Sequence, residues 1–234
     1  LGARPGKTYF GRIEVEGGID GPMTDPSLQL TVTGDGLRVR DAQLGKLRAD
    51  LKLAGQRATL DMALHGDVIQ HARIHAEVPL RVALARGDLT WLKDQPHVLD
   101  AKLERFDLEK LKDLGVTAKM VGTVDAAVTL AGPMSKPQLG LSAALRGFVW
   151  KNRPVGNASL NVTYREGRAE LALSSAVGRG TVDGRASVPM AVDLGRGQFK
   201  WDERGQSEVE LRVDGLDRTM LAPLGRVPEE ALIE

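Results

Sequence analysis

The stretch GPMTDPSLQL at residues 21–30 returns as GPMSKPQLGL at residues 132–141, with six of the ten residues identical at an offset of 111, which is 132 minus 21. The same offset relates three pairs of glycines: Gly11 and Gly122, Gly36 and Gly147, and Gly45 and Gly156. Further along the chain the offset becomes 110, where Val78-Pro79-Leu80 corresponds to Val188-Pro189-Met190. A repeat of this length predicts one module copied in tandem, because such modules stack and share a continuous core or surface. We therefore expect function to belong to the array.

The repeat divides the chain into three parts. We interpret residues 1–10 as the end of a preceding repeat or a linker, residues 11–121 as the first repeat and residues 122–234 as the second. Residue 1 is Leu and not an initiating Met, and the residues from Arg226 onward stand where Val116 onward stands before Gly122. A third copy would begin at about the last residues, so we expect a fragment of a longer protein.

The composition of the chain argues against several classes of protein. The 234 residues are 42% hydrophobic and 27% charged, which is ordinary for a soluble globular protein. No apolar run reaches the length of a membrane-spanning helix. Acidic and basic residues are interleaved along the chain and leave a net charge of only +1, so direct binding of nucleic acid is not expected. Cysteine is absent, which excludes disulfides and thiolate chemistry and fits a bacterial periplasmic or surface protein without excluding a cytosolic one.

Apolar and polar residues alternate over most of the chain. Leu28, Leu30 and Val32, for example, alternate with polar residues, which places the apolar side chains on one face of a strand. The same period of two recurs in many further stretches: 47–53, 58–64, 74–84, 99–103, 124–130, 139–145, 160–164, 169–173, 186–194 and 209–213. Glycine-bearing turns separate these stretches at roughly ten-residue spacing. The pattern predicts an all-β fold built as an elongated antiparallel meander.

A few local signals interrupt this pattern. One helix is predicted at residues 107–115, which begin with an aspartate suited to the N-cap, carry leucines three apart and end at a glycine. Its counterpart, residues 217–225, contains a proline, so a single turn is expected there. Pro79 and Pro189 lie inside strands, which predicts an edge or a bulge at each. The repeated segment Gly-Pro-Met, at residues 21–23 and 132–134, is called the refrain here. It is predicted to form a turn, because proline fixes φ at the turn entry and glycine permits the backbone conformation that precedes it.

No catalytic or metal-binding signature stands out in the sequence. The four histidines, at residues 65, 71, 75 and 97, are confined to the first repeat and are interpreted as solvated surface residues. His71 and His75 on a strand would lie about 13 Å apart, too far for one ion. The glycine groups lack the pattern of a phosphate loop, and no serine stands in a Gly-x-Ser-x-Gly elbow. We therefore predict that the protein is not an enzyme and has no cofactor and no metal site.

The apolar side of the predicted strands must be accounted for, because almost no helix is available to cover it. The strands could pair two sheets into a sandwich core, close into a barrel, or leave the face as the lining of a groove for an apolar ligand. Only 4% of the residues are aromatic, which is lean for a packed core and suits a smooth slot for acyl chains. The alternation alone leaves the groove and the packed core equally open.

The pattern of short strands and repeated motifs in the chain resembles that of the AsmA-like and TamB (translocation and assembly module) proteins of Gram-negative envelopes. The resemblance rests on the phrase Gly-x-Ile-x-x-x-Gly at Gly11–Gly17, the refrain Gly-Pro-Met-x-x-Pro-x-Leu-x-Leu and the recurrence of the block at about 110 residues. It covers nearly the whole chain. In the family the corresponding motif is commonly Gly-x-Leu-x-x-Pro. Both copies here depart from it, because proline follows the glycine directly and methionine stands where the family has leucine.

The resemblance implies a periplasmic protein anchored in the inner membrane through a segment outside this chain. Its strands would curl into a U-shaped (β-taco) groove of two tandem repeats, with at most one short helix per repeat. The groove would conduct or shield phospholipid acyl chains between the two membranes, or support outer-membrane protein assembly with an outer-membrane barrel partner bound outside this fragment. The alternative is a structural or adhesive tandem β-sandwich array with dry cores and no ligand.

The candidate groove residues follow from the alternation of large apolar side chains in both repeats. They are Leu28, Leu30, Leu51, Leu53, Leu60, Met62, Val78, Leu80, Leu139, Leu141, Leu160, Val162, Leu171, Leu173, Val188 and Met190.

Overall fold

The computed structural model describes residues 9–117 and 119–215, most of which are strand. The strands in this part of the chain are β1 (Tyr9–Asp20), β2 (Ser27–Val39), β3 (Ala42–Ala54), β4 (Arg57–His65), β5 (Ile69–Ala83), β6 (Asp88–Trp91), β7 (His97–Asp107), β8 (Met120–Gly132), β9 (Gln138–Trp150), β10 (Arg153–Arg165), β11 (Arg168–Val177), β12 (Gly180–Asp193), β13 (Gln198–Trp201) and β14 (Glu208–Asp214). Two short 3-10 helices, Leu84–Arg86 and Leu108–Leu114, interrupt them. The prediction of an all-β fold is confirmed.

All of these strands belong to one antiparallel meander. Its order is β1-β2-β3-β4-β5-β7-β8-β9-β10-β11-β12-β14, and β6 and β13 pair with the far ends of β5 and β12. The two outer strands, β1 and β14, do not pair with each other in the described sheet. The sheet is therefore open, and each strand of the meander lies beside its neighbour in sequence.

The sequence repeat is also a repeat of structure. β2 and β9 begin at residues 27 and 138, and β3 and β10 begin at residues 42 and 153, so the offset of 111 holds for both pairs. Hydrogen bonds recur as well: Leu80 N donates to Gln56 O and Met190 N donates to Gly167 O. The first copy joins the second through β7 and β8, with no break in the sheet.

The end of β5 and the end of β12 leave the main sheet as hairpins. β5 pairs with β7 up to Glu77 and with β6 from Leu80 onward, so Pro79 lies where the strand changes partner. Pro189 holds the same position in β12. A residue without an N–H suits this break, because one ladder hydrogen bond is interrupted there in any case. We call the β5–β6 hairpin the first arm and the β12–β13 hairpin the second arm.

The refrain forms a turn, as predicted, and it also holds the arm of its own repeat. In the first copy Asp25 N donates to Pro22 O at 3.0 Å, and in the second Lys136 N donates to Pro133 O at 3.0 Å. The carbonyl of Met23 accepts from Ala85 N in the first arm at 3.2 Å. The carbonyl of Met134 accepts from Leu194 N in the second arm at 2.8 Å. Each refrain is therefore fastened to an arm that starts three strands away in the meander.

These fastenings bend the sheet. β2 and β5 are separated by three strand spacings, which would hold them about 14 Å apart in a flat sheet. The refrain turn and the first arm nevertheless meet at hydrogen-bond distance. At the other strand ends Asp41 N donates to Asp113 O, and the Arg40 guanidinium donates to Leu114 O at 2.7 Å. The meander is thus curled from both ends into an open groove.

The predicted helix at 107–115 is present as the 3-10 helix Leu108–Leu114. Asp107 caps it by accepting a hydrogen bond from Glu109 N at 2.9 Å, and Gly115 ends it with φ at 88°. The leucines stand three residues apart, a spacing that falls on one side of a helix with three residues per turn. The counterpart at residues 217–225 lies outside the described residues.

A second layer over the sheet is missing in the described residues. Apart from prolines and glycines, the buried residues there are Ala42, Val68, His97, Tyr164 and Val192. A sandwich core would bury the large side chains of one whole face. Here the leucines in the middle of the sheet are only half-buried, so of the arrangements that the alternation left open, the structure shows the open groove.

His97 anchors the first arm. Its side chain is only 1% exposed, and its Nε2 accepts a hydrogen bond from Trp91 Nε1 at 2.6 Å. Burial lowers the pKa of His97, against an opposing contribution from the backbone of Gln95. A protonated ring would present N–H to the N–H of Trp91, so the arm requires the neutral form.

This burial predicts a loss of stability in acid. In the unfolded chain a histidine takes up a proton near pH 6.5, whereas folded His97 resists it, so the free energy of unfolding falls as the pH drops through that value. His97→Gln keeps an acceptor for Trp91 and removes the contribution of residue 97 to the pH dependence of stability. Urea unfolding at about pH 8 and about pH 5.5 should show a smaller acid loss in the variant.

The matched control for this measurement is His71→Gln, at an exposed histidine. His75 acts in the opposite sense, because its hydrogen bond to Asp61 raises its pKa, and it is present in every protein compared. An acid loss as large in His97→Gln as in the wild type would show that His97 is not responsible.

The refrain turn generates a second stability prediction. Gly132 has φ at 91°, and a Cβ there would lie 3.3 Å from the carbonyl oxygen of Lys136. Gly132→Ala should lower the free energy of unfolding by about 1 kcal/mol, because an L side chain is strained at this φ. The control is Gly18→Ala, where a Cβ would meet no atom within 4 Å. Equal stability of the two variants in urea unfolding would contradict the role of this glycine.

Candidate functional site

The candidate groove residues lie together on one surface of the sheet. Residues directly opposite each other in an antiparallel ladder share a face, so the register assigns each side chain to a side. By this register fourteen of the sixteen candidates share one side, which we call the apolar face. The other two, Leu80 and Met190, lie in the first and second arms.

The apolar face is built from rows of residues that run across the strands. The central row crosses all twelve strands of the main sheet from β1 to β14, and each of its residues is apolar: Val15, Val32, Ala49, Met62, Ile74, Ala101, Val128, Leu141, Val162, Leu171, Ala186 and Val209. Eleven spacings of about 4.8 Å make this row about 53 Å long.

Two flanking rows widen the central row. One runs through Ile13, Gly34, Leu47, Leu64, Ala72, Leu103, Ala126, Ala143, Leu160, Leu173, Gly184 and Leu211. The other runs from Gly17 to Val188 through Leu30, Leu51, Leu60, Ala76, Leu99, Leu130, Leu139, Tyr164 and Ala169. These three rows carry a single polar atom, the hydroxyl of Tyr164.

That hydroxyl is already committed to the backbone. Tyr164 Oη accepts a hydrogen bond from Val192 N at 3.1 Å and donates to Met190 O at 3.3 Å. The ring is buried at the base of the second arm. Tyr164 therefore leaves no free polar group on the rows and ties β10 to the arm.

Sequence reasoning left many members of the rows out of the candidate set, among them several small and β-branched residues. Ala49 and Ile74, for example, stand on either side of the predicted Met62 in the central row, and Ala101 follows Ile74. They follow the same period of two as the large residues, so the alternation could have identified them. Choosing only prominent residues concealed that the row has no interruption.

The arms extend the apolar face beyond the main sheet. In the first arm Leu80 pairs with Trp91 and Val82 with Leu89, and in the second Met190 pairs with Trp201 and Val192 with Phe199. Leu89, Phe199 and Trp201 are exposed. The Lys93 ammonium lies 5.1 Å from the ring centre of Trp91. The arms thus form an aromatic rim at one end of the strands.

The opposite face of the sheet is polar. The row next to the central one reads Glu16, Thr31, Asp50, Asp61, His75, Asp100, Thr129, Gly140, Thr163, Glu170, Ser187 and Glu208. A hydrogen bond from Thr31 and another from Arg48 lower the pKa of Asp50. Such exposed pairs contribute little to stability. They give this face solubility and leave the apolar face as the distinctive surface.

The polar face has shallow depressions between its charged side chains. Shallow hollows of about 390 to 550 Å³ lie between charged side chains of neighbouring strands, for example around Arg48, Arg73 and His75. The rings of His65 and His71 lie 4.6 Å apart, a proximity that the sequence did not indicate. Within residues 9–117 and 119–215 no three His, Asp or Glu side chains are placed to hold a metal ion.

The described helices give no sign of a membrane anchor in this part of the chain, since none of them combines the length and the apolar character that a bilayer crossing requires. Comparison of the chain with protein-family models, with curated proteins and with solved structures finds no match. Membership of the AsmA-like and TamB family therefore stays a prediction from the residues, and the apolar face is the candidate functional site.

Proposed function

We propose that this chain is a segment of an envelope-spanning periplasmic protein whose apolar β-groove conducts or shields phospholipid acyl chains. The observation that carries the proposal is the unbroken central row of apolar residues from Val15 to Val209, flanked by two more apolar rows. An open face of this kind exposes apolar area to water along its whole length. A ligand with an equally long apolar surface removes that cost.

An acyl chain fits the chemistry of the rows. Burying each methylene contributes about 0.8 kcal/mol, so a lipid tail gains affinity in proportion to the length laid on the face. Three rows two residues apart span about 14 Å between the outer ones, which is wide enough for the two tails of one phospholipid side by side. The lipid headgroup stays in water at the open mouth of the groove.

Continuity of the rows favours conduction over a single fixed site. A binding site for one molecule needs polar groups that fix its orientation. The rows present none, because the Tyr164 hydroxyl is bonded to the backbone of the second arm. A tail can therefore slide along about 53 Å of face and exchange one apolar neighbour for another of similar kind.

The wider setting of the proposal follows from the resemblance to AsmA-like and TamB proteins. It places the segment in the periplasm, with an inner-membrane anchor and any contact with an outer-membrane barrel partner outside this chain. Support for outer-membrane protein assembly belongs to the same proposal, since a groove that shields acyl chains could equally shield apolar segments of polypeptide. The alternative, an adhesive array of dry β-sandwiches, predicts a packed face that takes up no lipid.

The proposal predicts that a charge on the central row reduces lipid uptake without unfolding the protein. Val162→Asp should weaken about tenfold the binding of a tail that lies across residue 162, because it removes the contact of about two methylenes and therefore about 1.6 kcal/mol, and it should lower the number of lipids bound per chain. Native mass spectrometry of delipidated protein with phosphatidylethanolamine measures the bound fraction. Circular dichroism measures whether the sheet is retained.

Asn161→Asp is the matched control, since residue 161 is next in sequence but lies on the polar face. It should bind lipid as the unaltered chain does. Delipidated wild-type protein that takes up no phospholipid would contradict the proposal. Unfolding of Val162→Asp, with Asn161→Asp intact, would instead support a dry core.

The proposal also predicts a dependence on chain length. Affinity for saturated fatty acids should rise by up to about 1.6 kcal/mol for every two methylenes, or roughly tenfold, as long as the tail lies on the face. Displacement of a fluorescent fatty acid, at concentrations below micelle formation, gives the series. Affinities that do not change with tail length would mean that the headgroup and not the apolar face is bound.

A further inference from the structure

The β4–β5 hairpin brings two histidines together on the polar face. Leu64 lies opposite Ala72 on the apolar face, so the next residues outward, His65 and His71, stand opposite each other on the polar face. Both are exposed, and their ring centres lie 4.6 Å apart with the ring planes tilted by 44°. The hairpin therefore assembles a histidine pair that differs from the pair four residues apart in one strand.

We propose that His65 and His71 together bind one divalent first-row transition-metal ion, such as Zn²⁺, with water molecules completing its coordination. Imidazole nitrogen is a preferred ligand of these ions. With a Zn–N bond of about 2.0 to 2.1 Å, the centre of a bound ring lies about 3.2 Å from the ion. Two such rings at an N–Zn–N angle of about 90° to 109° have centres about 4.5 to 5.2 Å apart. The observed separation of 4.6 Å lies in this range.

A hydrogen bond to the backbone prepares His65 for this role. Its Nδ1 lies 2.5 Å from the carbonyl oxygen of Gln70, at the start of β5. A carbonyl oxygen only accepts, so Nδ1 carries the proton, and in the neutral ring Nε2 keeps the lone pair. Histidines that bind metal ions usually donate their other N–H to a carbonyl or carboxylate in this way, which fixes the ring and makes the ligand nitrogen more basic.

The other two histidines have different partners. His75 Nδ1 lies 2.7 Å from Asp61 Oδ1, and its Nε2 lies 3.5 Å from Glu77 Oε1. His97 is buried and accepts the hydrogen bond of Trp91. Each of these rings is thus engaged on its own, which leaves the pair on the β4–β5 hairpin as the place where two imidazoles can share an ion.

The charges around the pair limit the affinity of the site. Lys46 on β3 stands opposite His65, and Arg73 lies two residues beyond His71 in β5. Glu104 on β7 stands opposite His71, with its Oε1 3.8 Å from the guanidinium of Arg73. All three charged side chains are exposed, so solvent and salt screen them. Glu104 offsets part of the positive charge, and coordination by two imidazole nitrogens supplies the rest of the binding.

The second repeat provides an internal comparison. At the corresponding place Ala176 stands opposite Thr181, and neither side chain carries a nitrogen ligand. The site therefore occurs once in the chain. An ion held by both rings joins β4 to β5 just beyond the last pair of their ladder. Because the separated strands of the unfolded chain do not present this pair, the ion stabilises the folded hairpin by mass action.

Isothermal titration calorimetry with Zn²⁺ tests the site, on protein purified without a histidine tag. The unaltered chain should bind one ion. His65→Gln and His71→Gln should each weaken binding at least about tenfold, because each removes a ligand nitrogen and a lost outer partner alone already costs about that much. His75→Gln, on the same face, is the matched control and should bind as the unaltered chain does. Mg²⁺ should give no binding, since it prefers oxygen ligands.

Long-range ¹H–¹⁵N spectra of the unaltered chain provide a second measurement that needs no variant. Zn²⁺ should shift the Nε2 resonance of His65 together with a ring nitrogen of His71, and leave His75 unchanged. Weakening in both pair variants and this pattern of shifts support the proposal. Three results overturn it: no uptake by the unaltered chain, weakening in only one of the two pair variants, or equal weakening in His75→Gln. Should a variant unfold by circular dichroism, the spectra decide.

The site is independent of the proposed function. The pair lies on the polar face, and the experiment involves no lipid. Failure of the metal site therefore leaves the acyl-chain groove standing, and failure of lipid uptake leaves the metal site standing.

Discussion

The structure depends on strand register. With a side-chain period of two, a slip of one residue in any ladder would turn that strand's apolar side chains to the polar face and cut all three rows. Tight turns prevent the slip: Gly55 and Gln56, Lys151 and Asn152, and Glu166 and Gly167 each supply two consecutive positive φ angles between paired strands. This is the two-residue hairpin whose twist matches that of the flanking strands. Local turn chemistry therefore fixes a surface that extends across twelve strands.

A single curled layer requires an explanation, because it lacks the packed interior that stabilises most domains. Backbone pairing on both sides of each inner strand supplies one part of its stability, and the fastening of refrains to arms supplies another. The remaining apolar area is half-covered by the curl and by its own neighbours. A tail lying on the rows would complete this interior from outside, so binding and folding would draw on the same surface and ligand would stabilise the sheet by mass action.

Much of this fold could be predicted from the sequence, because its signals are local. Alternation located the strands, Gly-Pro-Met located the turns, and Asp107 and Gly115 located a capped helix whose leucine spacing suits the 3-10 form. The long-range features gave no such signal. Nothing near Met23 indicates that its carbonyl accepts from Ala85. Pro79 predicted an edge or a bulge, but it did not show that the strand changes partner there and carries Leu80 into an arm. His97 was interpreted as one of four surface histidines, yet it is buried beneath Trp91.

The residues of the two faces of the sheet change in different ways between the two copies of the repeat. On the polar face His65, His71 and His75 of the first copy have no histidine counterparts in the second, and the charge pattern changes with them. On the apolar face the counterparts of the central-row residues in the other copy are apolar residues or glycine, while the residue itself varies among alanine, valine, leucine, isoleucine, methionine and glycine. A site for one reaction would hold particular side chains in place and free the rest. Here the residue varies while its apolar character is kept, which is the constraint that the proposed sliding of an acyl chain would impose on the side chains it contacts.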